Sequence, residues 1–323
     1  MCTRVLWNTN ELAVLTGRSM DWPESTQPLI VAFPRGRQRD GGALAGTTIV
    51  DENALHWTSR YGSVVTTVYG IGSIDGVNER GLGAHGLYLK STSFGERDAS
   101  RPGLQTGLWV QYLLDQAATV AEALSLMDGV QLVMVGAHGR DATIHLAIED
   151  ASGDSAIIEF ADGKQVVHHG RQYTLMTNDP SYDEQLALLE QQDFSHPSRD
   201  MPLPGNVNPV DRFQRAAYYS ALLPEPQDQR QAVASVMAIM RNVSVPFGAP
   251  YGEFGIYNTE YRTVTDHTHR TYVFELSTSP NTIWVELDGL DLTDGAEPQA
   301  IDPYDHSLIG NVTAQFTAHQ IPF

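Results

Sequence analysis

A succession of short runs rich in β-branched and apolar residues, each closed by Gly, Pro or Asn, constrains the fold of this chain most. "CTRVLW", "LAVLTGR", "LIVAFP", "SVVTTVYG" and "GLGAHGLYL" follow one another up to Leu89. Runs of this length between turn residues read as strands, and their close spacing predicts a mostly antiparallel sheet. "TIHLAIED", "SAIIEF", "KQVVHH" and "YTLMTN" repeat the pattern around the tight turns "SGD" and "DGK", which predicts an antiparallel meander. "RTYVFELST" and "TIWVELDGL" alternate at period two and predict a last antiparallel pair around "SPN".

Helical spacing interrupts the strands. Residues 105–128 carry apolar stripes through Leu108, Val110, Leu113, Val120, Leu124 and Met127, with a turn and a second helix capped near Thr119. The same spacing returns over residues 181–191, 209–223 and 227–242. Strands, helices, strands, helices and strands again predict a layered α+β domain with stacked sheets. No repeat, low-complexity segment or shift in composition divides the 323 residues, so a single domain over 1–323 is expected.

The formal net charge is -19, and lysine occurs only at Lys90 and Lys164. Phosphate binding needs clustered cations, so nucleic acid and anionic membrane surfaces are excluded as partners. The acidity reads as a solvated surface. No apolar run reaches the roughly 18 residues of a membrane span. Cys2 is the only cysteine, so no intrachain disulfide forms and the redox compartment stays open. The protein is periplasmic if an export signal has been removed ahead of this sequence, and cytoplasmic otherwise.

That lone cysteine sits directly behind Met1, in "MCTRVLWNTNELAVLTGRSMDW". A hairpin turning at Asn8, Thr9 and Asn10 would set Cys2 opposite Thr16 to Arg18, with Asp21 just past the strand end. Once Met1 is removed, Cys2 carries a thiol of pKa roughly 8.5 and an α-amine of pKa roughly 7.7 to 8.0, so one residue supplies nucleophile and base. The Arg18 guanidinium would favour thiolate, and the Asp21 carboxylate could hold the amine. Each residue also has a purely structural reading. Arg18 and Asp21 could be an ordinary strand-end ion pair, Asn178 a turn residue, Tyr88 a half-buried strand aromatic and Arg212 a solvated helix arginine.

The blocks "MCTR…GRSMDW", "GVNERGLGAHGLYL", "LMTNDP" and "LPGNVNPVDRFQRAAYY" occur in order from Cys2 to about Tyr219. Together they make the chain resemble the choloylglycine hydrolase and penicillin V acylase family of N-terminal-nucleophile hydrolases. The resemblance implies a four-layer αββα sandwich of two antiparallel sheets, assembled as a homotetramer. It also implies catalytic roles for Cys2 as nucleophile, Arg18 and Asp21 as its close partners, Asn178 as an oxyanion donor and Arg212 as an organiser. Tyr88 falls where members carry a polar or aromatic residue near the oxyanion, and Trp22, beside Asp21, is expected with it to bind substrate. Residues of "YGEFGIY" are further candidates for the pocket lining.

"RPGLQTGLWVQYLLDQAATVAEAL" and "SMDW" look more like the Gram-negative branch, which is associated with cleavage of penicillin V and N-acyl homoserine lactones. Conjugated bile salts are the alternative substrate class. A catalytically silent β-rich binding protein on the same scaffold is the alternative of another kind. No cofactor is implied. "HTH" would put His267 and His269 on one strand face, and His168 and His169 are adjacent, but no third and fourth ligands follow at metal-binding spacing.

Overall fold

The computed structural model describes residues 1–252 and 255–323. Its first large sheet runs, in spatial order, through Leu175–Met176, Cys2–Trp7, Leu15–Trp22, Ile256–Asp266, Thr271–Leu276, Thr282–Glu286 and Gly310–Asn311. The second runs through Lys164–His169, Ser155–Ala161, Ile144–Glu149, Gly83–Tyr88, Gly72–Asn78, Ser63–Val68, Ile30–Phe33, Gln299–Ile301 and Thr317–Ala318. All pairings in the second are antiparallel. The first has one parallel pair, at its edge, where Ile283 meets Gly310.

Helices cover both outer faces. Pro209–Ala221 and Gln229–Asn242 pack on the first sheet, with Tyr182–Leu189 against the former, while Trp109–Gln116 and Val120–Met127 cover the second. The result is the expected four-layer α+β sandwich. Val5, Leu15, Leu87, Ala147, Val264 and Tyr272 are buried in one continuous apolar cluster that spans the two sheets. Burying each Val or Leu among them contributes about 1.5–3 kcal/mol. Gly17 admits the Gln229–Asn242 helix onto its strand, because a Cβ there would lie 2.6 Å from Met240 and 2.7 Å from Val236. The helix bounds agree with their sequence signals. Thr119 accepts a cap bond from the Glu122 N–H, and Asn208 does the same for Asp211 ahead of Pro209.

Three local expectations are corrected. The hairpin register sets Cys2 opposite Met20 and Arg4 opposite Arg18, because the connection runs from Asn8 to Val14 instead of turning within three residues. Asn10 holds that longer turn by accepting from the Leu12 and Ala13 N–H groups. The meander keeps only three of its four strands, since Leu175–Met176 crosses to pair with Cys2–Trp7. The strand carrying "HTH" ends at Asp266, so His267 and His269 occupy a turn in which His267 is buried and His269 bonds Asp266.

Candidate active site

Pairing of the first two strands brings Cys2 and Arg18 together across a diagonal of the sheet face, as same-face neighbours two positions apart do. The Arg18 Nη2 lies 3.6 Å from the Cys2 Sγ. The same nitrogen donates to the Gly86 carbonyl at 3.2 Å, and Nη1 donates to the Tyr261 hydroxyl at 2.8 Å. Burial alone would lower the guanidinium pKa. Tyr261, the Cys2 thiol and Asp75 together outweigh it and hold the charge firmly.

Asp21 is not past the strand end. It lies within Leu15–Trp22 at a bulge between Met20 and Asp21, and bulges re-aim side chains. Its carboxylate, fully buried, accepts from the Thr259 hydroxyl at 2.6 Å and lies 3.3 Å from the Arg212 guanidinium. The Met1 amine donates to the Asp21 backbone carbonyl. Burial pulls that amine down to about 6, against the opposing pull of Cys2 and Asp21.

Asn178 and Arg212 close the site from the far end of the chain. Arg212 stands in the first turn of the Pro209–Ala221 helix with its side chain inward and buried. Nη1 donates to the Cys2 carbonyl at 2.7 Å and to the Thr3 hydroxyl, and Nη2 to Asn178 Oδ1 at 2.8 Å. Asn178 Oδ1 also receives the Cys2 N–H at 2.7 Å, while Nδ2 donates to the Tyr88 carbonyl at 2.6 Å. Cys2, Arg18, Asp21, Asn178 and Arg212 thus form one contiguous cluster with Tyr88 at its edge.

An apolar pocket of about 790 Å³, its mouth included, opens over the thiol. Trp22 and Tyr88 line it, their rings 5.7 Å apart, with Ile71, Val135 and Ile144. Tyr69, which sequence reasoning missed, also lines it, accepting the Trp22 indole N–H at 2.8 Å and stacking on His138. Its φ of 52° is unusual for a residue with a Cβ and is the sort of constraint a site tolerates. "YGEFGIY" is placed differently from expectation. Tyr251 and Gly252 line a second, more open cavity beside Met1, Lys90 and Asp179, and Tyr257 turns its hydroxyl to the Val207 carbonyl. Glu253 and Phe254 of that stretch lie outside the described residues.

His85, Glu149 and His267 bring one potential ligand atom each within 4.8 Å, the sole such group among the described residues. They do not suit a cation. Arg4 already pairs with Glu149, which also accepts from Thr16, so an ion there would face a buried guanidinium. His168 and His169 face Asp183 and Asp154.

The profile of the linear amide C–N hydrolases, choloylglycine hydrolase family, matches residues 2–301. The penicillin V acylase of Pectobacterium atrosepticum is 38% identical over 312 residues, covering 88% of this chain and 81% of that protein. The solved structure of penicillin V acylase from Agrobacterium tumefaciens superimposes with a TM-score of 0.89 at 38% identity, over 99% of this chain and 98% of the other. The C2A mutant of a conjugated bile acid hydrolase from Clostridium perfringens shares the fold, with a TM-score of 0.80 at 20% identity over 96% and 98% of the two chains.

Proposed function

The chain belongs to the choloylglycine hydrolase family of linear amide C–N hydrolases, and on that premise we propose that its Cys2 thiol cleaves N-acyl amides of the penicillin V type. N-acyl homoserine lactones extend the same substrate class, and conjugated bile salts are the alternative. One observation carries this reading: the only thiol of the chain faces an apolar pocket while a buried guanidinium stands 3.6 Å from it.

The chemistry begins with loss of Met1, which turns the Cys2 N–H that now bonds Asn178 into a free amine. That amine takes the thiol proton and the thiolate attacks the amide carbonyl. Negative charge on the carbonyl oxygen is met by the remaining Nδ2 hydrogen of Asn178. The Tyr88 N–H is the second donor, since an N–H in a strand points to the same edge as its own carbonyl, here the edge facing Asn178. The C–N bond breaks as the leaving amine takes the proton from the Cys2 ammonium. Water, deprotonated by the Cys2 amine, then opens the thioester, releasing a carboxylic acid and restoring the thiol. Arg18 favours the thiolate, and Arg212 and Asp21 hold the backbone around it.

The pocket accepts the acyl group and the open cavity beside Tyr251 receives the leaving amine. A phenoxyacetyl group or a medium-length acyl chain fits aromatic walls, with about 0.8 kcal/mol gained per buried methylene. A bile-acid steroid needs a wider mouth. The proposal includes assembly as a homotetramer. Side-by-side kcat/KM values for penicillin V, a long-chain acyl homoserine lactone and glycocholate test the substrate class. Either of the first two should lead; glycocholate as the best substrate overturns the assignment. Complete loss of hydrolysis on stoichiometric iodoacetamide labelling of Cys2 separates the enzyme from a silent binding scaffold.

A further inference from the structure

Behind the thiol, in the interface between the sheets, lies a buried row of charges that the reaction above does not use. Arg4 pairs with Glu149, Glu149 with the Nε2 of His85, and the Nδ1 of His85 with Asp75, all four side chains having no exposure. Asp75 also accepts from the hydroxyls of Thr263, at 2.9 Å, and Tyr272. The row is not local in sequence. It joins Cys2–Trp7, Ile144–Glu149, Gly83–Tyr88 and Gly72–Asn78, and Gly83 is needed beside it, since a Cβ there would sit 2.4 Å from His267 and 2.7 Å from Glu149.

Its far end lies beside Arg18: Thr263, whose hydroxyl donates to Asp75, is the direct cross-strand partner of Arg18, and Arg18 donates to the carbonyl of Gly86, the neighbour of His85. Arg18 is fully buried, and among the described residues its guanidinium contacts Tyr261, Cys2, Met20 and the Gly86 carbonyl but no carboxylate within ion-pair distance. The only carboxylate among the groups that dominate its electrostatics is Asp75, and Arg18 in turn helps to hold Asp75 ionised. Along this stretch the buried cations are Arg4, His85, Arg18 and Arg212, and the buried anions are Glu149, Asp75 and Asp21. Arg18 is the one of these cations with no carboxylate in ion-pair contact, and a thiolate at Cys2, 3.6 Å from its Nη2, supplies a facing negative charge. Buried charge is costly unless compensated, so the row and the thiolate stabilise one another.

We propose that Asp75 and His85 are positioning residues for the reaction: Asp75 is the counter-charge of Arg18, His85, itself held by Glu149, clamps Asp75 in place, and the pair sets how readily Cys2 becomes a thiolate. The other charged and titratable groups facing this path are Tyr261 and Tyr272 from the first sheet, His267 beside Glu149, and Tyr251 and the N-terminal amine on the thiol side. Burial would push the His85 imidazole down, but Glu149 and Asp75 raise it to about 9, so the ring is a cation across the working range.

This inference rests on Cys2 as the nucleophile, and its test keeps the two apart. The rate of iodoacetamide alkylation of Cys2 in the mature enzyme, followed from about pH 5 to about pH 10, gives the midpoint for thiolate formation. His85→Gln removes a cation and leaves Asp75, so the midpoint should rise by about 0.5–1 pH unit. Asp75→Asn removes the carboxylate that acts most strongly on Arg18, and the midpoint should fall by about the same amount. Opposite shifts are the signature, because mere loss of packing around Arg18 would move both variants the same way. Shifts of one sign, or none, overturn the proposal. If either variant does not fold, the wild type decides: alkylated Cys2 holds no negative charge, so His85, followed by its ring NMR shifts, should titrate at lower pH than in the free enzyme. An unmoved His85 titration overturns the proposal. Hydrolysis that survives alkylation would instead refute Cys2 as nucleophile, whatever the midpoints.

Discussion

Arg212 donates through Nη1 to the carbonyl of Cys2 at 2.7 Å, so a helix more than two hundred residues downstream holds the backbone of the residue that carries the thiol. The same guanidinium reaches Asn178 Oδ1 at 2.8 Å and lies 3.3 Å from Asp21. One planar fork therefore ties the Cys2 backbone, the Asn178 amide and the Asp21 carboxylate into fixed geometry.

Arg212→Ala should destabilise the protein by about 3–5 kcal/mol, because it leaves the Asp21 carboxylate buried and without its partner. Arg212→Lys keeps the charge but cannot make the fork, so it should fold and lose at least about tenfold in kcat. Denaturant melts paired with steady-state kinetics check both. A lysine variant with unaltered kcat would exclude the fork as the reason for arginine.

Cys2→Ala should be inactive, and a form retaining Met1 should be nearly so. Each removes one half of the nucleophile and base pair. Intact-mass spectrometry of the same sample used for kinetics tests this. Full turnover by a homogeneous Met1-retaining preparation would sink the mechanism.

Asn178→Ala should lower kcat by about 10²–10³ fold, the usual cost of one lost oxyanion donor, with little change in KM. The variant should still fold, since its three partners keep other anchors: Cys2 and Tyr88 stay in their strand pairings, and Arg212 still donates to the Cys2 carbonyl. A raised KM at constant kcat would assign Asn178 to substrate binding instead.

Stability should fall as pH rises from about 6.5 to about 9. The His85 imidazole titrates at about 9 in the folded chain and near its ordinary 6.5 when unfolded, so over this interval the folded state binds the extra proton. Its contribution is complete below pH 6.5 and is lost as pH passes 9. The size is of the order of 3 kcal/mol. Urea melts across that range should show the slope in the wild type and a flatter profile in His85→Gln. Equal slopes would show that His85 is not the group responsible.

Much of the architecture was legible along the chain. Strand runs closed by turn residues, caps at Thr119 and Asn208, and the apolar spacing of the Trp109–Gln116 and Gln229–Asn242 helices are local signals, and each became the element expected. The register of the first hairpin was not legible. The Asn8–Asn10 triplet has good turn chemistry, yet Asn10 caps a longer connection, and two or more positions of offset between Cys2 and its partner follow. Likewise "YTLMTN" reads as a fourth meander strand by composition, and pairs instead with Cys2–Trp7, where an edge of the other sheet was open.

The five residues Cys2, Arg18, Asp21, Asn178 and Arg212 could be singled out in the linear chain, because a thiol and an α-amine on one residue, and ordered blocks around it, are properties of sequence. What surrounds them could not. Tyr69 reached the pocket wall by a turn of positive φ, and Asp75, His85, Glu149 and Arg4 met only where the two sheets face each other. Coulomb coupling between buried groups depends on their separation and on exclusion of water, and both are set by how the layers pack, so spacing along the chain carries no trace of it.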